Sequence, residues 1–97
     1  MERLTSHLRR YENFIGPALH AYDMSNEMVL RSTGSPEQIE AQRAHALELA
    51  RKAGAELAVI RDLDPDSAER LAADWRAYGE ELQVDPGLIA IACGAVE

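Results

Sequence analysis

Three pairs of a capping residue and a proline divide the chain, at Ser35–Pro36, Asp64–Pro65 and Asp85–Pro86. A Ser or Asp side chain accepts a hydrogen bond from a free backbone N–H at a helix start, and proline fits the first helical position because it has no N–H to leave unpaired there. Gln38 lies three residues after the serine and predicts a capping box. The chain is therefore expected to form four helices, with Gly34 ending the first in the left-handed conformation.

The first segment carries a regular seam of positions in steps of four and three. Its members are Leu4, Leu8, Tyr11, Ile15, Ala18, Tyr22, Ser25 and Val29. This spacing predicts one amphipathic helix over residues 3–31. We expect a kink where Pro17 cannot donate to the carbonyl of Asn13, and the alternative is two helices with a break at Gly16.

The later segments show the same periodicity over shorter lengths. The predicted buried positions are Ile39, Ala46, Leu49, Ala50, Ala53, Leu57 and Ile60 in the second segment, Ala68, Leu71, Ala72, Trp75, Tyr78 and Leu82 in the third, and Leu88, Ile89, Ile91 and Ala92 in the fourth. No stretch alternates as a strand does. The predicted fold is all-α and a single domain, an antiparallel hairpin of two long helices with a third helix and a short C-terminal helix packed along it.

Alanine contributes 16 residues to the chain, and only Phe14, Trp75 and three tyrosines are aromatic. Alanine lets helices approach closely but buries little area, so the core of one copy is thin. We therefore expect a homo-oligomer, most simply a dimer.

The negative charge is concentrated in one part of the chain. Acids and bases balance in residues 1–31 and again in residues 32–61, whereas residues 62–97 hold nine acids and two arginines and so account for the whole net charge of −7. An acidic surface of this kind repels nucleic acid phosphates and anionic lipid. We therefore expect neither nucleic acid nor membrane as a partner.

Cys93 is the only cysteine and lies among apolar neighbours, which favours a buried structural thiol. The first residues are charged and contain no apolar run of the length that a secretory signal needs. We expect a cytoplasmic protein.

The two long helices carry residues of the types that bind metal ions. They are His20, Asp23 and Glu27 on the first helix and His45 and Glu48 on the second. Metal ligands must converge, but the seam places His20 and Glu27 on the outer side of the first helix, and His45 and Glu48 lie outside the apolar arc of the second. We therefore predict no metal and no other cofactor.

The predicted function is binding rather than catalysis. The sequence has no phosphate-binding loop, no nucleophile elbow and no cysteine pair. We expect an interaction module (an inhibitor, an antitoxin-like or immunity-like protein, or an adaptor) that binds another protein, one with a basic surface if the acids take part. The residues predicted to contact it are Asp74, Glu80 and Glu81 on the third helix and Leu88, Ile89 and Ile91 near the C-terminus. The alternative is a small helical enzyme, or an accessory subunit completing a metal or cofactor site on a larger enzyme, with His20, His45 and the neighbouring carboxylates as its chemical groups.

Overall fold

The computed structural model describes residues 2–94 and consists of four α-helices joined by short turns. The helices are α1 (Glu2–Arg31), α2 (Pro36–Leu63), α3 (Pro65–Glu81) and α4 (Pro86–Ala92). No strand occurs in this part of the chain. The predicted all-α class and the predicted helix starts are confirmed.

Helices α1 and α2 form the antiparallel hairpin, whose closed side is the turn at residues 32–35. The longest dimension of the molecule, 46 Å, matches the length of a 30-residue helix. Helix α1 continues through Gly16 and Pro17, so the expectation of a single helix is confirmed and the alternative of a break is wrong. Pro17 has no N–H to donate to the carbonyl of Asn13, four residues earlier. Both residues are exposed, so this carbonyl lies on the solvent side of the helix.

Helix α3 runs alongside α1 in the same direction. Leu8 and Leu71 line one depression near its start, and the Asn26 amide donates to the Leu82 carbonyl at its end, at 3.5 Å. Helix α4 then folds back along α3, because Ile89 packs over Gly79 and the Cys93 thiol reaches Ala72. Helices α3 and α4 therefore lie side by side against the hairpin and are not placed end to end.

A close approach of backbones holds α4 against the hairpin. A Cβ atom at Gly54 would overlap the carbonyl oxygen of Ile91. On the other side of α4, the hydroxyl of Tyr11 donates to the carbonyl of Ala92 at 3.3 Å. The short last helix is therefore wedged between α1, α2 and α3.

Most seam positions lie in the core, which is built from small and medium-sized side chains. Its buried hydrophobic members are Tyr11, Ile15, Ala18, Leu19, Ala21, Ala46, Ala50, Ala53, Leu57, Ile60, Ala68, Ala72, Val84, Leu88, Ile89, Ala92 and Cys93. Two predicted core positions are wrong, because Val29 is 51% exposed and Tyr78 is 48% exposed. Val29 is exposed because no third helix covers it. Tyr78 is exposed because it lies at the edge of the arc formed by the predicted buried positions of α3.

The helix termini follow the predicted chemistry in part. The capping box at Ser35 and the side-chain cap of Asp64 are present. Asp85 makes no side-chain cap bond. Instead, its backbone carbonyl accepts hydrogen bonds from the N–H groups of Leu88 and Ile89 at the start of α4. The left-handed residue that ends α1 is Ser32 (φ 53°), so the prediction for Gly34 is wrong.

None of the helices described has the length and apolar character needed to cross a membrane.

Candidate functional site

The residues considered as metal ligands do not form a site. His20, Glu27, His45 and Glu48 are exposed, and Asp23 is half-buried. Glu27 pairs with Arg31 on its own helix at 2.9 Å. Within residues 2–94, no group of three or more His, Cys, Asp or Glu side chains is placed to hold a metal ion.

Two titratable side chains lie in the core and serve its packing. Tyr11 bonds to the carbonyl of Ala92, and the Cys93 thiol lies 3.5 Å from the carbonyl of Ala72. Burial raises the pKa of Tyr11 and of Cys93, because the charged forms would lose their hydration. The thiol therefore stays protonated at neutral pH and is a poor nucleophile. The expected buried structural thiol is confirmed.

One fully buried polar residue, Ser25, joins α1 to α2. Its hydroxyl donates to the carbonyl of Tyr22 at 2.6 Å and accepts from Nε of Arg43 at 3.0 Å. The Arg43 guanidinium also lies over the Tyr22 ring, 5.1 Å from its centroid, and 3.4 Å from the Asn26 amide oxygen. A shift of one helix along the other would leave the buried hydroxyl without its donor, so this network fixes the register of the hairpin.

A second polar contact joins the hairpin near its open end. Nδ1 of His7 lies 2.6 Å from a carboxylate oxygen of Glu56, and Arg10 approaches the other oxygen at 4.0 Å. His7 and Glu56 are both half-buried. The helical pattern of α1 or of α2 alone does not predict this pair. His7 and Glu56 are 49 residues apart in sequence and come together only because of the way the two helices are aligned in the hairpin.

The apolar residues predicted to bind a partner lie mostly inside the molecule. Leu88 and Ile89 are buried against the rest of the chain, and Ile91 is half-buried. The expectation that this segment docks on the bundle is confirmed. Its binding role stays a prediction, but Leu88 and Ile89 are inaccessible to a partner while α4 remains docked.

The three predicted acids are exposed but lie on different sides of α3. Asp74 and Glu81 are seven residues apart, which places them on one face two turns apart. Glu80 lies about 120° around the helix from Asp74. It lines a separate depression beside α4, together with Arg76, Pro86 and Ile89. The acids therefore do not form one cluster.

An aromatic pair accompanies Asp74 and Glu81. The rings of Trp75 and Tyr78 meet edge to face, with centroids 5.9 Å apart and planes at 78°. Together with Asp74 they line an open depression of about 350 Å³. Tyr78 follows Asp74 by four residues and precedes Glu81 by three, so the three residues occupy neighbouring positions on one side of the helix. We call these four residues the α3 outer face.

The carboxylates of the α3 outer face have no cationic partner in the described part of the chain. No Lys, Arg or His nitrogen lies within 4 Å of Asp74 or Glu81 there. Arg70, one turn before Asp74 on the same helix, is exposed and lines a depression with Asp74, but the two side chains form no ion pair within 4 Å. Carboxylates beside an exposed aromatic face attract a cation, which can stack on the ring and pair with the acid.

Tyr78 is the member of this face that sequence reasoning missed. The helical arc grouped it with Trp75 as a buried residue. Its spacing from Asp74 and Glu81 was the signal that could have placed it outside, since both acids were expected to be exposed.

Comparison of the chain with protein-family models, curated proteins and solved structures finds no match.

Proposed function

We propose that this chain is a non-catalytic interaction module whose α3 outer face binds an arginine-bearing basic segment of another protein. The observation that carries the proposal is the exposed ring of Tyr78 beside Asp74, whose carboxylate forms no ion pair within 4 Å in the described chain. Tyrosine and tryptophan are enriched at protein interfaces, where a rigid ring buries area at little entropic cost.

Arginine fits this face better than lysine does. Its planar guanidinium can stack on an aromatic ring while its N–H groups bond to a neighbouring carboxylate in a fixed fork. The depression offers both partners side by side, with the ring of Tyr78 next to Asp74. A lysine ammonium is a compact, strongly hydrated charge and gains less from the ring.

The distribution of charge supports a basic partner. The net charge of −7 arises entirely after residue 61, in the part of the chain that contains α3 and α4. Such a field speeds the approach of a cationic protein and disfavours an acidic one. A small inhibitor, an antitoxin-like or immunity-like protein, or an adaptor acts in this way, by occupying a basic surface of its target.

The proposal can be tested with a defined probe, because Trp75 is the only tryptophan and reports on its own site. The probe is a short acetylated peptide in which arginine alternates with alanine. Its addition is expected to change the fluorescence of Trp75 saturably. The matching lysine peptide is expected to bind more weakly, and an alternating glutamate peptide not at all.

Variants separate a specific site from general attraction. Asp74→Lys removes a charge-assisted contact and Tyr78→Ala removes the ring on which the guanidinium stacks, and each is expected to weaken binding of the arginine peptide by about tenfold or more. Glu80→Lys changes the net charge as Asp74→Lys does but lies off the face, so it should have much less effect. Equal losses for the two lysine variants, with none for Tyr78→Ala, would show attraction by net charge alone and contradict the site.

We also propose a cytoplasmic location. Cys93 is free and buried, and it is the only cysteine of this sequence, which fits a reducing compartment.

A further inference from the structure

Three of the five aromatic side chains lie on α1, and each is already covered by the chain itself. Tyr11 is buried in the core. The guanidinium of Arg43 lies over the Tyr22 ring, 5.1 Å from its centroid, and the ammonium of Lys52 lies over the Phe14 ring at 6.0 Å. Helix α2 therefore supplies a cation to each ring of α1 that is not fully buried.

The two rings of α3 lack such a cover. Tyr78 is 48% exposed and Trp75 is half-buried. Within residues 2–94, no Lys or Arg side chain lies over either ring. The ring planes lie at 78° with centroids 5.9 Å apart, and both rings line the open depression that Asp74 also lines. These three residues form an angular aromatic recess beside a carboxylate, which we call the α3 recess.

The shape and charge of the α3 recess indicate which cation suits it. A flat guanidinium stacks on one ring, whereas a rounded cation can contact two rings set at an angle. A primary ammonium needs hydrogen bonds to replace its water, and the faces of two rings offer none. A quaternary ammonium has no N–H to satisfy and spreads its charge over methyl groups, so its transfer from water to the rings costs less. Asp74 adds a negative charge, which favours a cation over a neutral group of the same shape.

We propose that the α3 recess binds a trimethylammonium group, carried by a methylated lysine of the partner protein. This inference rests on the function proposed for the α3 outer face and names a side chain that the face recognises. A free quaternary amine shares this chemistry, but in an open depression it keeps much of its surface in water. A lysine side chain brings with it the contacts of its own peptide, and a basic segment is also attracted by the acids that follow residue 61.

One peptide made in three forms tests this assignment, with the fluorescence of Trp75 as the signal. The forms carry lysine, trimethyl-lysine, or a neutral analogue in which carbon replaces the quaternary nitrogen. The trimethyl-lysine form is expected to bind about fivefold or more tighter than either of the others. Equal binding of the lysine form would overturn the proposal. Equal binding of the neutral analogue would also overturn it, because the recess would then be only an apolar surface.

Tetramethylammonium chloride distinguishes the two sources of the group. It should displace the trimethyl-lysine peptide, but only at concentrations far above the dissociation constant of the peptide. If tetramethylammonium binds as tightly as the peptide does, the ligand is a free quaternary amine and the assignment to a partner protein is wrong.

Two substitutions of the exposed Tyr78 separate its ring from its apolar area. Tyr78→Phe keeps the ring face and should bind the trimethyl-lysine peptide as the unaltered chain does. Tyr78→Leu keeps an apolar side chain without a ring and should bind it about fivefold or more weakly. Circular dichroism of both variants checks that the helices are retained. Equal affinities of the two variants would contradict a role for the ring.

The arginine peptide, titrated beside these forms, distinguishes this inference from the proposed function. If the arginine peptide binds but trimethylation of lysine gains nothing, the α3 outer face binds basic segments and only this inference is wrong. If the trimethyl-lysine peptide binds and the arginine peptide does not, the preference for arginine is wrong and the α3 recess stands.

Discussion

Two regions of the hairpin follow the same pattern of apolar positions but differ in what surrounds them. In the covered half, from Tyr11 to Ser25 on α1, the seam residues Tyr11 and Ile15 are almost completely shielded from solvent, because α3 and α4 lie against the hairpin there. We call residues 27–40, where the hairpin turns, its closed end; there Val29 occupies the next position of that seam and is half exposed. Periodicity therefore shows which side of a helix faces inward, whereas burial depends on how far the covering helices reach.

The largest expected effect comes from removing part of that cover. A chain ending after Asp85 lacks α4 and loses the burial of Leu88 and Ile89, each worth about 1.5–3 kcal/mol. It would also expose the faces of Tyr11 and Gly54 that α4 covers. Urea unfolding should show a large loss of stability or no cooperative transition. If the shortened chain unfolds like the full one, α4 does not provide the cover described.

The second prediction compares the same seam in the two regions. Ile15→Ala removes a fully buried side chain and should lower the free energy of unfolding by about 2–5 kcal/mol. Val29→Ala should cost less than about 1 kcal/mol, because its side chain is already half in water. Similar losses for the two variants in chemical denaturation would mean that the core continues into the closed end.

The third prediction uses two glycines of the hairpin helices. Gly54→Ala would place a methyl group against the Ile91 carbonyl, and the backbone there cannot move without displacing α4. We expect a net loss of about 1–3 kcal/mol, since overpacking outweighs the gain in helix propensity. Gly16→Ala meets no atom within 4 Å outside its chain neighbours, and the gain in helix propensity is offset by the strain that Pro17 imposes on a Cβ at the preceding helical residue, so stability should change by less than about 1 kcal/mol. Thermal unfolding of both variants measures the contrast, which fails if Gly16→Ala lowers the stability as much as Gly54→Ala does.

The smallest effect concerns Asp64, which caps α3 where the chain turns to cover the hairpin. Its bonds from the Ser67 hydroxyl and backbone N–H hold the pKa of the carboxyl below its ordinary value of 3.8. A lowered pKa means that the charged cap stabilises the fold above the unfolded pKa, and this contribution is lost as the pH falls through the folded value. The stability difference between the unaltered chain and Asp64→Ala should therefore shrink between pH 7 and pH 3. A constant difference would show that the charge of the cap contributes nothing.

The helices themselves could be predicted because their signals are local. The proline pairs set the starts of α2, α3 and α4, and the seam identified α1 despite Pro17. The contacts between helices could not be read in this way. The pairing of Ser25 with Arg43, the overlap of α4 with α3 and the exposure of Val29 all depend on relative helix positions, which no segment specifies alone. Tyr78 was misplaced for a related reason, since a residue at the edge of an arc is buried only if a neighbour reaches over it.

Amide hydrogen exchange tests most directly whether the closed end is an incomplete core. Amides of residues 11–25 should exchange only through openings whose free energy is close to that of global unfolding. Amides of residues 28–31 and 39–42 should exchange through local openings of clearly lower free energy. Equal protection along the whole hairpin would contradict the account.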